Sequence, residues 1–145
     1  MPVVKGSIVV DRPVQDVFDF IVDQSKTTQW CLALTECALT TEGELGSGSE
    51  RVVARKFFGM KMRWTYTCEA FDSPTHIAWR STSGRLPMLD YYNLTEQNGS
   101  TYVEHTVDIE SMGILRLLQP LMQRRGRKDL LKDLDALKAL MESAP

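Results

Sequence analysis

The chain has 145 residues and a formal net charge of -2, which is the length of a single domain. Hydrophobic residues make up 43% of it, enough to bury a core without disulfides or metals. Because basic and acidic residues are nearly balanced, no overall field would attract nucleic acid or an anionic membrane. We therefore expect one domain over residues 1–145 and no nucleic-acid partner.

Cysteine content and hydropathy exclude further classes of protein. Cys31, Cys37 and Cys68 are odd in number and form no CxxC pair, which argues against a disulfide framework and against a zinc site. The N-terminal apolar stretch is too short for a signal peptide, and no apolar run approaches the roughly 18 residues of a membrane span. We expect a reduced, cytoplasmic monomer or weak homodimer without metal, cofactor or stable membrane insertion.

Residues 3–30 predict one strand followed by two short helices. The β-branched stretch 3–10 predicts the strand, and Pro13 near the first helical position, with Asp11 available as a cap, predicts a helix start. Apolar side chains then recur at helical spacing at Val14, Val17, Phe18 and Ile21. The polar segment 25–30, which ends in Trp30, predicts a second short helical turn.

Six further strands are predicted where the hydropathy period changes to two. They cover residues 37–41, 51–58, 61–71, 76–81, 88–95 and 101–109. The connecting turns are short, and Asn98-Gly99 is a strong hairpin signal, so neighbouring strands should be antiparallel.

A long amphipathic helix is predicted from Ser111 to about residue 142. Pro120 should kink this helix or begin its regular part, because proline removes an amide donor and clashes with the preceding turn. The apolar stripe of the helix consists of Leu115, Leu118, Met122, Leu130, Leu134, Leu137 and Met141.

Four segments in this order resemble the SRPBCC superfamily, whose fold is also called START-like or helix-grip, and particularly its polyketide cyclase/dehydrase branch. They are "IVVDRPVQDVFDFIVDQSKTTQW", "GELGSGSE", "NGSTYVEHTVDI" and "LQPLMQRRGRKDLLKDLDALKALME". The resemblance implies an α+β fold in which a curved seven-stranded antiparallel sheet wraps around the C-terminal helix. It also implies a cavity between sheet and helix for a hydrophobic or aromatic small molecule, although members of the superfamily differ in function.

Period-two alternation and the helical stripe select the candidate site. The predicted ligand-binding residues are Trp30, Met62, Trp64, Tyr66, Trp79, Tyr92, His105, Leu118, Met122, Gly126 and Leu130. Gly126 should leave room beneath the helix. The candidate catalytic residues are His105, Tyr66, Tyr92 and Asp90, with His105 the expected acid or base because its pKa lies near neutrality.

Each of these assignments has a structural alternative. The aromatic side chains equally fit a solid core, and His105 fits a hydrogen-bonded core histidine better than an acid or base. Asp90 equally fits a solvated strand end, since Arg80 should point to the other face of the sheet. The basic run "RRGRK" is interpreted as a solvated helix face rather than a nucleic-acid or membrane patch.

Three functions therefore remain open. Binding or carriage of a hydrophobic small molecule comes first, and cyclase or dehydratase chemistry in the same cavity comes second. A protein-partner role of the chaperone-activator type comes third. No serine-hydrolase elbow or P-loop is present in the sequence.

Overall fold

The computed structural model describes residues 3–57, 59–110 and 113–143. In chain order the elements are β1 (Val3–Val10), α1 (Val14–Val22), α2 (Thr27–Trp30), β2 (Leu34–Leu39), β3 (Glu50–Phe57), β4 (Met60–Asp72), β5 (His76–Ser83), β6 (Met88–Gln97), β7 (Ser100–Ile109), a 3-10 segment (Gly113–Leu118) and α3 (Gln119–Ser143). This order confirms the predicted one, with Phe58 and Ser111 lying outside the described residues.

The strands form one curled antiparallel sheet in the order β1-β7-β6-β5-β4-β3-β2. Hairpins connect the consecutive strands from β2 to β7, whereas β1, the first strand of the chain, pairs with β7, the last. The connection from β1 to β2 must therefore pass from one edge of the sheet to the other. Helices α1 and α2 make this connection, and together with α3 they complete the predicted helix-grip arrangement.

Two local details refine the predicted helix starts. Asp11 does not cap α1: the cap position is Pro13, without a side-chain hydrogen bond, and the Asp11 carboxylate accepts a hydrogen bond from Ser100 Oγ at 3.0 Å. The predicted cap is therefore wrong, because Asp11 lies too early in the chain and joins β1 to the β6–β7 turn instead. At the other end of the chain, α3 begins at Gln119, so Pro120 occupies the first turn, where its missing amide costs no helical hydrogen bond.

Helix α3 packs closely on β1 rather than on the middle of the sheet. A Cβ atom at Gly6 would lie 2.5 Å from Leu130 Cδ2 and 2.9 Å from Leu131 Cδ2. One at Gly126 would lie 3.3 Å from Val4 Cγ2. Glycine at these two positions therefore lets the helix and the strand approach each other. No helix in the described part of the chain is both long enough and apolar enough to span a bilayer.

Replacing Gly6 by valine tests this close approach. We expect Gly6→Val to lower the free energy of unfolding by about 1–3 kcal/mol, because Leu130 and Leu131 must move to admit the new side chain. Urea unfolding measures the change. Ser7→Val adds a similar side chain at an exposed position of β1 and should change the stability by less than about 0.5 kcal/mol; equal effects would contradict the packing argument.

Candidate functional site

A cavity of about 260 Å³ lies between the sheet, α2 and α3. Eight of the predicted ligand-binding residues line it, namely Trp30, Trp64, Tyr66, Tyr92, His105, Met122, Gly126 and Leu130. Asp90 lines it too, so all four candidate catalytic residues face the same cavity. The remaining wall is mostly apolar, with Val4, Val53, Met88, Val107 and Ile109 among its members.

The other three predicted residues do not line the cavity. Trp79 is fully buried in the core beneath the guanidinium group of Arg51, and Met62 is half-buried near the β3–β4 turn. Leu118 is 44% exposed. It precedes α3, in the 3-10 segment, where the 3.6-residue register used to select it does not apply.

Five neighbouring strands each contribute one inward side chain to a continuous polar and aromatic band. The band consists of Arg51 on β3, Tyr66 on β4, Trp79 on β5, Asp90 on β6 and His105 on β7. Strand register explains their proximity, since Arg51 pairs with Tyr66, Trp79 with Asp90, and Tyr92 with His105. Directly paired residues lie on the same face of the sheet, and diagonal neighbours remain within reach of long side chains.

His105 and Asp90 form the centre of this band. His105 Nε2 lies 2.5 Å from Asp90 Oδ1, and Asp90 Oδ2 lies 3.7 Å from Arg51 Nη2. The His105 ring stacks on Tyr92, with 4.0 Å between the ring centroids and 10° between the planes. Asp90 is thus held between two basic groups and is not a solvated strand end.

The guanidinium group of Arg51, which reaches Asp90, also lies over two aromatic rings. Its guanidinium carbon lies 4.3 Å from the Trp79 ring centroid and 5.1 Å from that of Tyr66. Arg51 Nη1 also donates a hydrogen bond to Gln24 Oε1 at 3.2 Å. The stacking is the geometry of a cation–π interaction, which partly compensates the loss of water around the buried cation.

The surroundings determine the ionisation of the candidate acids and bases. Burial alone would raise the pKa of Asp90, but His105 and Arg51 outweigh burial and lower it. Asp90 is therefore a carboxylate at neutral pH, and His105 Nε2 must carry the proton that it shares with Asp90. Burial raises the pKa of both Tyr66 and Tyr92, so these phenols can donate hydrogen bonds but are poor bases.

Helix α3 adds two further acidic groups, Asp129 and Asp133, to the cavity wall. The backbone amide of Leu32 donates a hydrogen bond to Asp133 Oδ1 at 3.0 Å, and burial raises the pKa of Asp133. Three other polar atoms in the wall, His105 Nδ1, Trp30 Nε1 and Arg51 Nε, are buried and find no hydrogen-bond partner among the described residues. No cluster of side chains suited to a metal ion occurs in these residues either.

Sequence reasoning missed Arg51, and it identified Arg80 only as a residue of the opposite face. Arg80 does lie there, paired with Glu69 and Glu110. Arg51 was hidden because Val52, Val53 and Ala54 follow one another without alternation, which leaves the face of β3 undefined. An inward Asp90 without a partner was the signal that a cation was needed.

Replacing Arg51 by methionine tests the charge balance around Asp90. We expect Arg51→Met to lower the free energy of unfolding by about 3 kcal/mol at pH 7, because the buried carboxylate of Asp90 loses the Arg51 cation. Because the pKa of Asp90 is lowered in the folded protein, its ionised form stabilises the fold at pH values above the ordinary pKa of 3.8. This contribution disappears as the pH falls through the folded-state pKa. The difference between variant and wild type should therefore shrink below about pH 4 in urea titrations.

Arg80→Met is the matched control on the outer face. Arg80 is half-exposed and paired with surface carboxylates, so its loss should cost under about 1 kcal/mol. A pH-independent effect of Arg51→Met, or equal effects of both variants, would contradict the proposed balance.

The fold of this chain is similar to those of several solved structures at low sequence identity. A protein from Thermus thermophilus matches with a TM-score of 0.84 at 16% identity over 98% of both chains. A START superfamily protein from Mycobacterium smegmatis matches with 0.79 at 14% identity over 97% of both chains. The ZhuI aromatase/cyclase from Streptomyces sp. R1128 matches with 0.77 at 14% identity over 97% of this chain and 93% of the other. A comparison with proteins of curated function gives no match. The sequence profile of one family matches residues 1–142, and the chain therefore belongs to the family described as polyketide cyclase / dehydrase and lipid transport.

Proposed function

We propose that the protein binds and carries a small hydrophobic molecule that contains one or two fused rings. The observation that carries this proposal is the cavity of about 260 Å³ beneath α3. An apolar cavity of about 150 Å³ suffices for a benzene ring. The larger volume here suits a bicyclic ligand, and the rings of Trp30, Trp64 and Tyr92 offer faces and edges for aromatic contact.

Two buried polar atoms favour a ligand that carries oxygen. Trp30 Nε1 is always a donor, whereas His105 Nδ1 accepts when Nε2 holds the proton. Leaving such groups unpaired costs about 1–3 kcal/mol each. A phenolic hydroxyl or quinone carbonyl that reaches one of them after a small side-chain rotation would recover part of this cost.

Cyclase or dehydratase chemistry is the second candidate, and the His105–Asp90 pair favours it. In this mechanism His105 Nδ1 would take a proton from a carbon between two carbonyls of a bound poly-ketone. Asp90, bound to Nε2, would stabilise the imidazolium that forms. The structural likeness to an aromatase/cyclase is compatible with this chemistry, although a shared fold alone does not establish it.

Filling the cavity should abolish binding without unfolding the protein. We expect Met122→Trp to weaken binding of 2-naphthol at least tenfold, because the new ring occupies the ligand volume, and to change stability by under about 1 kcal/mol because it enters a void. Quenching of tryptophan fluorescence, calibrated separately for each variant, measures binding. Naphthalene should bind wild type several-fold more weakly than 2-naphthol does.

Met141→Trp is the matched control. Met141 is buried near the C-terminal end of α3 and does not line the cavity, so the larger ring should cost about 1–3 kcal/mol by overpacking while the folded protein still binds. If wild type binds neither 2-naphthol nor 1,4-naphthoquinone while remaining folded, the carrier proposal fails.

Replacing His105 by glutamine separates carriage from catalysis. Glutamine keeps hydrogen-bonding capacity but removes basicity, so binding of 2-naphthol should change by only a few-fold. A cyclase that uses His105 as its base would lose turnover of a poly-ketone by about 10²–10⁴, measured as ring formation by absorbance. No turnover by the parent protein would eliminate the second candidate.

A further inference from the structure

The 3-10 segment and the first turn of α3 expose an unusual set of large apolar side chains. Ile114 is 95% exposed, Leu117 is 92% exposed and Leu121 is 59% exposed. With Leu118, which is 44% exposed, they place four large apolar side chains in solvent within residues 114–121. This is a second apolar stripe, distinct from the one formed by Met122 and Leu130, which faces the core.

Basic residues surround this exposed stripe. Residues 113–128 contain Arg116, Arg124, Arg125, Arg127 and Lys128 and no acidic residue. All five side chains are exposed. Arg125 pairs with Asp129 at 3.8 Å, but the other four form no ion pair with any side chain in the described ranges. The local charge is therefore positive, although the whole chain has a net charge of -2.

The stripe lies beside the opening of the cavity. Lys56, Leu121 and Arg125 are exposed and also line the cavity, so the cavity meets solvent where these residues lie. Arg55 on β3 adds another positive charge to the same wall. An object bound to the stripe would therefore cover or adjoin the entrance.

We propose that residues 113–128 dock on the surface of an anionic lipid bilayer and place the cavity entrance against it. Ile114, Leu117 and Leu121 enter the boundary between headgroups and acyl chains, a depth of about 5–10 Å. Arg124 and Lys128 follow one to two turns later on α3, at the height of the phosphates. An apolar ligand then passes between bilayer and cavity without crossing water. This last point rests on the proposed carrier function, whereas the docking itself does not.

Charge and shape favour a bilayer over other occupants. A second copy of the chain would bring two clusters of positive charge together across a twofold axis, which is repulsive. An acidic protein would match the charge, but side chains that are more than nine-tenths exposed protrude and need deep complementary pockets in a rigid partner. A fluid bilayer receives protruding apolar side chains without such pockets. No transmembrane helix is required.

Vesicle flotation of the full chain tests the proposal. We expect binding to vesicles of equal parts phosphatidylcholine and phosphatidylglycerol, little binding to phosphatidylcholine alone, and weaker binding at high salt. Ile114→Ser with Leu117→Ser should reduce affinity at least tenfold by removing apolar insertion. Arg124→Gln with Lys128→Gln should reduce it about fivefold for each charge removed.

Matched controls sit elsewhere on the surface. Val9→Ser removes an exposed apolar side chain at the opposite end of α3, where Lys138 contacts β1. Lys26→Gln with Arg80→Gln removes two charges from other surfaces. Both controls should bind vesicles within about twofold of wild type. Salt largely screens the attraction between the bilayer and charges that lie away from the docked surface.

Several results would overturn the proposal. They are no binding to anionic vesicles, equal losses in test and control variants, and dissociation of a wild-type dimer by the Ile114/Leu117 substitutions, which would assign the stripe to self-association. Binding to polyglutamate that depends on Arg124 and Lys128 but not on Ile114 and Leu117, without vesicle binding, would assign it to an acidic protein. Titration with 2-naphthol in the absence of vesicles reports on the cavity alone, so failure of docking and failure of carriage are distinguishable.

Discussion

The close contact between α3 and β1 is the constraint on which the cavity depends. Gly6 and Gly126 allow the helix to lie against the edge strand, where Leu130 and Val4 fill the narrow space between them. A helix held at this edge cannot also fill the concave surface over β3 to β6. That surface is covered by side chains that reach in from α2, α3 and the strands, and they leave a void. A larger side chain at either glycine would push the helix outward and change the shape of this void.

The same arrangement explains how a largely apolar wall holds the Asp90 carboxylate and the Arg51 cation. Asp90 alone would be too costly to bury as a carboxylate, and its lowered pKa depends on both His105 and Arg51. Arg51 in turn relies on the faces of Trp79 and Tyr66, which take the place of water. Strand register brings these groups together, so the polar band follows from the fold itself. It gives a largely apolar cavity one fixed polar region, which would orient a bound molecule.

The sequence was most informative where one physical rule acted alone. Period-two alternation identified strands such as β1 and β4, which have one buried and one exposed face, and the family resemblance supplied the arrangement of all seven. The prediction of site residues from the sequence failed where two structural requirements competed. Trp79 alternates like a cavity residue but is buried beneath Arg51, a contact that depends on register between three strands. Leu118 fits the α-helical stripe, but the chain is a 3-10 turn there. No local pattern encodes either fact.

Uneven anchoring of α3 determines where the cavity can open. Leu130, Leu134, Leu137 and Met141 bury the C-terminal part of the helix, whereas Met122 is the only buried residue among residues 119–129. Opening exposes less apolar surface, and so costs less free energy, at the N-terminal end. Gly126 lies between the two parts, and glycine inside a helix weakens it by about 1 kcal/mol relative to alanine. The glycine that admits the helix to β1 thus also lies between a well-buried half of α3 and a less buried half, on the side where the cavity already meets solvent.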